Sequence, residues 1–229
     1  MSRLRIVEIF TSIQGEGQWV GVPSTFVRVS GCNLRCRWCD TPYASWEPEG
    51  PFMDLASVVE EVKRGGVEHV VLTGGEPLLF EPIVELAEML AADHVITVET
   101  AGTVFRSLPC HLMSISPKLS GSTPDGDWRG RHETTRLNRE PLKQLTELYD
   151  FQLKFVVNPE GGVEDLLEIK SLLDQLGGHT RGRVMLMAEG TDAETLHRRE
   201  KLLVPICLEN DWRLTPRLHI DLFGDTRGT

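Results

Sequence analysis

The 229-residue chain is long enough for one sizeable core and short of two ordinary domains, so a single domain over 1–229 is expected. Its 24 Lys and Arg against 34 Asp and Glu leave a net charge of −10, which argues against a general nucleic-acid binder with its basic face. No apolar run approaches the roughly 20 residues that span a bilayer, the N-terminus lacks the apolar core of a signal peptide, and five cysteines, three of them bunched, make no disulfide framework, so the expected setting is reducing and cytoplasmic.

Leu4 to Phe10 reads as a short strand, followed by a polar, glycine-rich loop from Thr11 to Gly17. Ser24 to Ser30 is rich in β-branched and aromatic residues and reads as the first core strand. The run Gly31-Cys32-Asn33-Leu34-Arg35-Cys36-Arg37-Trp38-Cys39-Asp40-Thr41 therefore sits at that strand's C-terminal end. Asp54 caps a predicted helix from Leu55 to Lys63, stopped by Gly65-Gly66. His69 to Thr73 is a buried strand, and Phe80 to Ala92 an amphipathic helix with Ile83, Leu86, Ala87 and Leu90 on one face. Strands follow at His94 to Glu99 and Leu112 to Ser116. Pro117 to Thr135 is a long polar stretch that reads as a functional or mobile loop. Then come a helix (139–149), a strand (152–157), a periodic helix (163–176), a strand (183–187), a long helix capped by Asp192 (193–207) and a last short strand (217–222). Cys110 and Cys207 read as small core residues. Strands alternating with helices give βαβ units and a parallel sheet. Six units are too few for a closed eight-fold barrel of about 250 residues; a partial (βα)6 barrel fits, with its ligands at the C-terminal ends of the strands.

Chemistry concentrates at those ends. Cys32, Cys36 and Cys39 put three thiolates on one loop at C-x3-C-x2-C spacing. Thiolate sulfur favours zinc, copper(I) and iron–sulfur clusters. A four-iron cluster normally takes four cysteines, so three leave one iron open to a small molecule. A closed zinc site would need a fourth ligand from Cys110, Cys207 or a distant histidine. Thr73-Gly74-Gly75-Glu76-Pro77 follows the next strand, where glycines allow close backbone approach and backbone carbonyls or Glu76 can hold a cationic amino group. Thr100, Gly102 and Ser116 end the following two strands and are candidates for the same pocket. Arg28 interrupts an otherwise apolar strand; a buried arginine wants a carboxylate or phosphate, and both Glu16 and a carboxylate-bearing substrate qualify. Gln14 and Glu16 suit the donor/acceptor edge of a pterin or guanine-like ring.

The cysteine loop, with Trp38 before its last cysteine, and the Gly-Gly-Glu-Pro run resemble the signatures of the radical S-adenosylmethionine (SAM) superfamily. That resemblance implies a [4Fe-4S] cluster on Cys32, Cys36 and Cys39, SAM on the open iron, and Trp38, Gly74, Gly75 and Glu76 as SAM-side residues. It implies the superfamily's partial (βα)6 core, with the cluster-binding loop after the first core strand. More narrowly, Ile-Gln-Gly-Glu-Gly (13–17), Phe-Val-Arg (26–28), the cysteine run, the Gly-Gly-Glu-Pro run (74–77), Glu-Thr-Ala-Gly-Thr (99–103), Ser-Pro-Lys (116–118) and the tail Arg217-Leu218-His219 look like the 7-carboxy-7-deazaguanine synthase family. This implies ring contraction of 6-carboxy-5,6,7,8-tetrahydropterin with loss of ammonia, in 7-deazapurine (queuosine) biosynthesis. Gln14, Glu16, Arg28 and His219 are then substrate residues, and Thr41 a ligand of Mg2+. An external electron donor such as flavodoxin and a homodimer are further family-level expectations. Two other readings share part of this pattern: a glycyl-radical activating enzyme, and a non-catalytic iron–sulfur or zinc module.

Overall fold

Apolar residues at every second position of the core strands decide the architecture. In the computed structural model, which describes residues 2–229, the chain forms β1 (Arg3–Ile13), β2 (Pro23–Val29), α1 (Pro42–Ser45), β3 (Phe52–Asp54), α2 (Leu55–Arg64), β4 (His69–Gly74), α3 (Pro82–Leu90), β5 (Val95–Thr100) and β6 (Leu112–Ile115). It continues with α4 (Arg129–Arg136), α5 (Arg139–Leu148), β7 (Phe151–Val157), α6 (Glu164–Leu176), β8 (Val184–Ala188), α7 (Ala193–Asn210), β9 (Arg213–Leu214) and α8 (Leu218–Phe223).

One sheet holds all nine strands in the order β3-β1-β2-β4-β5-β6-β7-β8-β9. From β2 to β9 every pairing is parallel, while β1 and β3 add an antiparallel edge. The sheet is a partial barrel, with separate edges at β3 and β9. On its outer face Val27, Val29, Val70, Leu72, Ile96, Val98, Leu153 and Phe155 pack with Val58, Leu86, Leu142 and Ile169 of the helices into the main core. The intervening positions face inward and are largely polar. Arg28 pairs with Thr73, Glu99 with Ser114 and Ser114 with Gln152 in register. Strands covered by helices outside and by a polar interior alternate, rather than running apolar throughout as in a sheet packed on both faces.

Several local expectations hold. The Asp54 carboxylate accepts from Ser57 N at the start of α2, and Asp192 from Thr195 N at the start of α7. Cys207 is buried in the main core, and Cys110 packs against it. Others need correction. The expected 217–222 strand is the helix α8, because Arg217 turns inward and Leu218 N bonds back to Gly15 O at 2.9 Å. The loop expected at 117–135 is packed: it contains α4, and Ser122 and His132 are fully buried. The strand expected to end at Phe10 runs to Ile13, since Thr11 to Ile13 pair with Thr25 to Pro23. The helix expected from Phe80 begins at Pro82, a residue suited to a helix's first turn.

Candidate active site

The cysteine loop leaves β2 and is fastened by backbone bonds. Gly31 N donates to Ala44 O at 2.8 Å and Glu76 N to Gly31 O at 2.9 Å. A Cβ on Gly75 would lie 2.1 Å from Gly31 O, so the Gly-Gly turn is shaped by its contact with this loop. On the far side, Arg37 N donates to Ser122 O at 2.9 Å and Arg35 N to His132 Nδ1 at 3.2 Å, which gives the packed 117–136 segment a role in holding the loop.

Cys32, Cys36 and Cys39 gather with Leu34, Trp38 and Ala101 in a small apolar cluster of their own. None is in a disulfide. Burial pushes the Cys32 and Cys36 thiols up to about 12, so this pocket stabilises thiolates only when a metal supplies positive charge. A single zinc needs its donors around one centre; among the described residues no three His, Cys, Asp or Glu side chains are so placed. An iron–sulfur cluster accepts cysteines on different irons, and three free thiols on one apolar wall fit it.

The three cysteines line a cavity of about 530 Å³. Trp38, Thr41, Gly74, Gly75, Thr100 and Ser116 line it as expected. Gln14, Glu16, Arg28 and His219 line it too. Glu76 and Gly102 lie behind the wall. The Glu76 carboxylate is fully buried and accepts from Thr100 Oγ1 (2.8 and 2.9 Å), Ala101 N (2.9 Å) and Leu78 N (3.1 Å). Burial raises its pKa against those donors. A Cβ on Gly102 would meet Leu142 at 2.3 Å, so this glycine serves packing against α5. Both residues shape the pocket by fixing the chain that forms it.

Glu16, Lys154, Arg217 and Asp40, all on the cavity lining, form a net of charges in which Lys154 and Arg217 are buried and Asp40 is exposed. Glu16 binds Lys154 and, at 3.2 Å, Arg217 Nε; Arg217 also binds Asp40 and reaches Gly190 O at 2.7 Å. Burial alone would raise the Glu16 carboxyl, but Lys154 and Arg217 overcome it and hold the group well below its ordinary value. Burial pulls Lys154 down, yet Glu16 and Glu99 outweigh it and the ammonium stays charged. Burial lowers His219, which favours its neutral form. Gln14 is fixed at both ends of its amide: Nε2 donates to Glu99 Oε1 at 3.1 Å, and Oε1 accepts from Glu16 N at 3.1 Å.

Arg28 does not pair with Glu16. Its partner is Glu8, opposite it on β1, through Nε at 2.7 Å. Among the described residues its two terminal nitrogens take no hydrogen-bond partner. Glu8 also accepts from Tyr43 Oη at 3.3 Å and Arg227 Nε at 3.2 Å. Lys118, Asp40, Glu99, Lys154 and Arg217 line the cavity without having been singled out by sequence as site residues. Lys154 carries the signal that marked Arg28, a charge inside an apolar strand; the pairing of Arg217 with residue 16 has no local signal.

Comparison with known proteins now decides the family. Residues 26–117 match the model of the radical SAM superfamily. The 7-carboxy-7-deazaguanine synthase of Halobacterium salinarum is 44% identical over 241 aligned residues, covering 99% of this chain and 93% of that protein. The chain belongs to the 7-carboxy-7-deazaguanine synthase family. The synthase of Rhodopirellula baltica is 43% identical, over 100% of this chain and 90% of the relative. QueE of Escherichia coli superposes with a TM-score of 0.73 at 24% identity, over 95% of each chain, and confirms the fold. As a radical SAM enzyme of this family, the protein uses a [4Fe-4S] cluster and SAM, and Cys32, Cys36 and Cys39 provide a cavity wall suited to the cluster. Among the described residues no helix is long and apolar enough to cross a membrane.

Proposed function

We propose that this enzyme converts 6-carboxy-5,6,7,8-tetrahydropterin to 7-carboxy-7-deazaguanine with loss of ammonia. The observation that carries this reading is one cavity lined both by three thiols free of disulfides and by an arginine with unspent terminal nitrogens. When bound, the cluster and SAM supply the carbon radical that starts the ring contraction. The chain's own residues bind, orient and enclose. Arg28 is aimed by Glu8 and offers its terminal nitrogens to the substrate carboxylate, a charge-assisted contact. Gln14, locked by Glu99 and the Glu16 amide, presents its remaining N–H and lone pair to the ring edge. The Glu16, Lys154 and Arg217 net keeps its charges compensated before the ligand enters. Neutral His219 supplies a ring nitrogen without adding charge. Gly74, Gly75, Thr100 and Ser116 form the SAM side of the wall.

Thr41 would hold Mg2+. It stands at the N-cap position of α1, yet its hydroxyl makes no cap bond, and its one polar contact is Cys39 Sγ at 3.9 Å. Magnesium takes oxygen ligands and keeps several waters, so one hydroxyl with substrate oxygens suffices. The reading carries with it a cytoplasmic homodimer and an external electron donor such as flavodoxin. A glycyl-radical activating enzyme acts on a protein and has no use for the enclosed charge net. The test is anaerobic reconstitution followed by incubation with SAM, reductant and the carboxypterin. Formation of the deazaguanine acid and ammonia is expected; SAM cleavage without that product would overturn the assignment.

A further inference from the structure

From Cys32 to Cys39 the loop has neither helix nor strand, so its shape depends on where its amides find acceptors. Leu34 N donates to Cys32 Sγ and Cys39 N to Cys36 O, each at 3.3 Å, and both bonds stay inside the loop. The amides of Arg35 and Arg37 are spent outside it. Arg35 N donates to His132 Nδ1 at 3.2 Å, and Arg37 N to Ser122 O at 2.9 Å. These two arginines flank Cys36, so the middle thiol is held through both its neighbours. The Arg35 side chain follows its amide: its guanidinium lies 4.3 Å from the Trp128 ring centroid and closes back on Cys32 O at 2.8 Å and Leu34 O at 2.7 Å.

His132 is fully buried in α4, and burial lowers its pKa, which favours the neutral ring. A neutral imidazole has one accepting and one donating nitrogen. The Arg35 amide takes Nδ1 as its acceptor, which puts the proton on Nε2. Nε2 then donates to Ser122 Oγ at 2.9 Å, and Ser122 Oγ donates to Leu119 O at 2.6 Å. One tautomer satisfies every donor in this chain, and a fully satisfied buried chain specifies one arrangement. Its far end is anchored. Arg136 binds Lys118 O at 3.0 Å, Glu133 at 2.9 Å and Glu168 of α6, and Ser120 N donates to Glu168 Oε2 at 2.8 Å. His132 is not on the lining of the reaction cavity, so substrate contact does not account for this arrangement.

We propose that His132 is a positioning residue for the iron–sulfur cluster. By taking the Arg35 amide at Nδ1 it fixes the turn between Cys32 and Cys36 and keeps that amide off the cluster sulfurs, and Ser122 selects the tautomer that does so. The proposal rests on the three cysteines as cluster ligands and is independent of the identity of the substrate. Hydrogen bonds to the sulfurs help to set a cluster's reduction potential. An N–H turned toward sulfur favours the more negative, reduced cluster, so a freed Arg35 amide makes the cluster easier to reduce.

Parent, His132→Asn and His132→Gln decide it. Asparagine sets an amide oxygen where Nδ1 stood and keeps the acceptor; glutamine reaches the Nε2 position and loses it. In the apo-protein, hydrogen exchange at the Arg35 amide should be slow in the parent and the Asn variant and about tenfold faster in the Gln variant, the scale of one lost hydrogen bond. In the reconstituted protein, cluster iron should pass to a chelator at nearly the parent rate from the Asn variant and about tenfold faster from the Gln variant. The reduction potential should move positive in the Gln variant alone. Urea unfolding of the apo-protein reads the lost ring packing, which both variants share, so equal destabilisation with unequal iron loss separates positioning from bulk structure. If the Gln variant does not fold, Ser122→Ala keeps the ring, removes the tautomer's selector and carries the same comparison with a smaller effect. An Arg35 amide that exchanges freely in the parent overturns the proposal. So do equal iron loss and equal potential in the Asn and Gln variants. A parent with a protected Arg35 amide and no iron uptake overturns the cluster reading on which the proposal stands, a failure distinct from that of the histidine clamp.

Discussion

The two groups of residues that line the reaction cavity, the thiols and the charge net, are built on opposite principles. The three thiols sit among Leu34, Trp38 and Ala101, and burial keeps Cys32 and Cys36 protonated. Elsewhere on the lining Lys154 and Arg217 are buried, Glu16 is half-buried and Asp40 is exposed, and each sign is answered by the other. The first wall is complete only with metal; the second is compensated by the chain itself. Folding energy and function are tied together at the charge net and separate at the thiols. Losing a thiol costs the cluster and little of the fold, whereas losing one charge of the net leaves another buried without its partner.

The sharpest break of that contrast is Cys36→Ala. It should abolish iron binding and turnover while the far-ultraviolet circular dichroism stays that of the parent. A loss of helical signal would show that the cluster loop supports the fold and would erase the distinction between the two groups.

Lys154→Met attacks the charge net. Removing one member of a buried pair costs on the order of 3–5 kcal/mol, and urea unfolding of the apo-protein at pH 7 should read it. Adding Glu16→Gln removes the carboxylate left with Arg217 as its one partner and should recover part of the loss. The sign with pH follows. The Glu16 carboxyl lies below its ordinary 4.5 in the folded state, so its contribution is full above 4.5 and fades as pH falls through the lowered value. Acid below about pH 4.5 should therefore narrow the gap between the parent and the double variant. A single variant as stable as the parent would mean that the net is not a unit.

The same contrast explains what the sequence made legible. The cluster site is written in contiguous runs: three cysteines in eight residues, and Gly-Gly-Glu-Pro at the next strand end. Asp54, Asp192 and the alternating strands are equally local, and the parallel barrel follows from them. The charge net joins residue 16 to residues 154 and 217, and residue 217 to residue 40, across separations that no local pattern encodes. Arg28 stood out as a buried cation in search of an anion, but its partner Glu8 lies in a strand whose antiparallel register had to be seen. The resemblance of the Gly-Gly-Glu-Pro run marks Glu76 as a SAM-side residue; the contacts of its carboxylate with Thr100 and Ala101 depend on the neighbouring strand. The 217–222 segment has apolar residues enough for a strand and becomes a helix because Arg217 anchors its start to the net.

Arg28→Ala tests whether an intermediate element, paired to the chain on one side and open on the other, serves the ligand. A charge-assisted hydrogen bond contributes about 1.5–3 kcal/mol, so affinity for the carboxypterin should fall roughly 10- to 100-fold by that figure. SAM affinity should be unchanged, and Arg28→Lys should restore only part, because lysine lacks the planar fork. Equal losses for SAM and pterin would give Arg28 a structural role through Glu8.

Thr41 carries the smallest effect, and it stands next to both groups in the chain. Its neighbour Asp40 belongs to the charge net, while Cys39 two residues back belongs to the cluster wall. A threonine in such a turn ordinarily spends its hydroxyl on nearby backbone. Here the hydroxyl caps nothing, and its one contact is a sulfur at 3.9 Å. An oxygen left free on a cavity wall is a hard donor, and magnesium is the hard cation that needs few protein groups when a substrate brings its own oxygens. The ion and Arg28 would then share the substrate carboxylate. Turnover should rise with added Mg2+ in the parent, Thr41→Ala and Thr41→Val should blunt that rise several-fold through loss of the one protein oxygen ligand, and Thr41→Ser should keep most of it. Substrate affinity measured without the metal should be nearly the same in all four proteins, which separates a metal ligand from a residue that merely shapes the turn. An alanine variant with the parent's full response to magnesium would return Thr41 to the turn and leave Arg28 alone with the carboxylate.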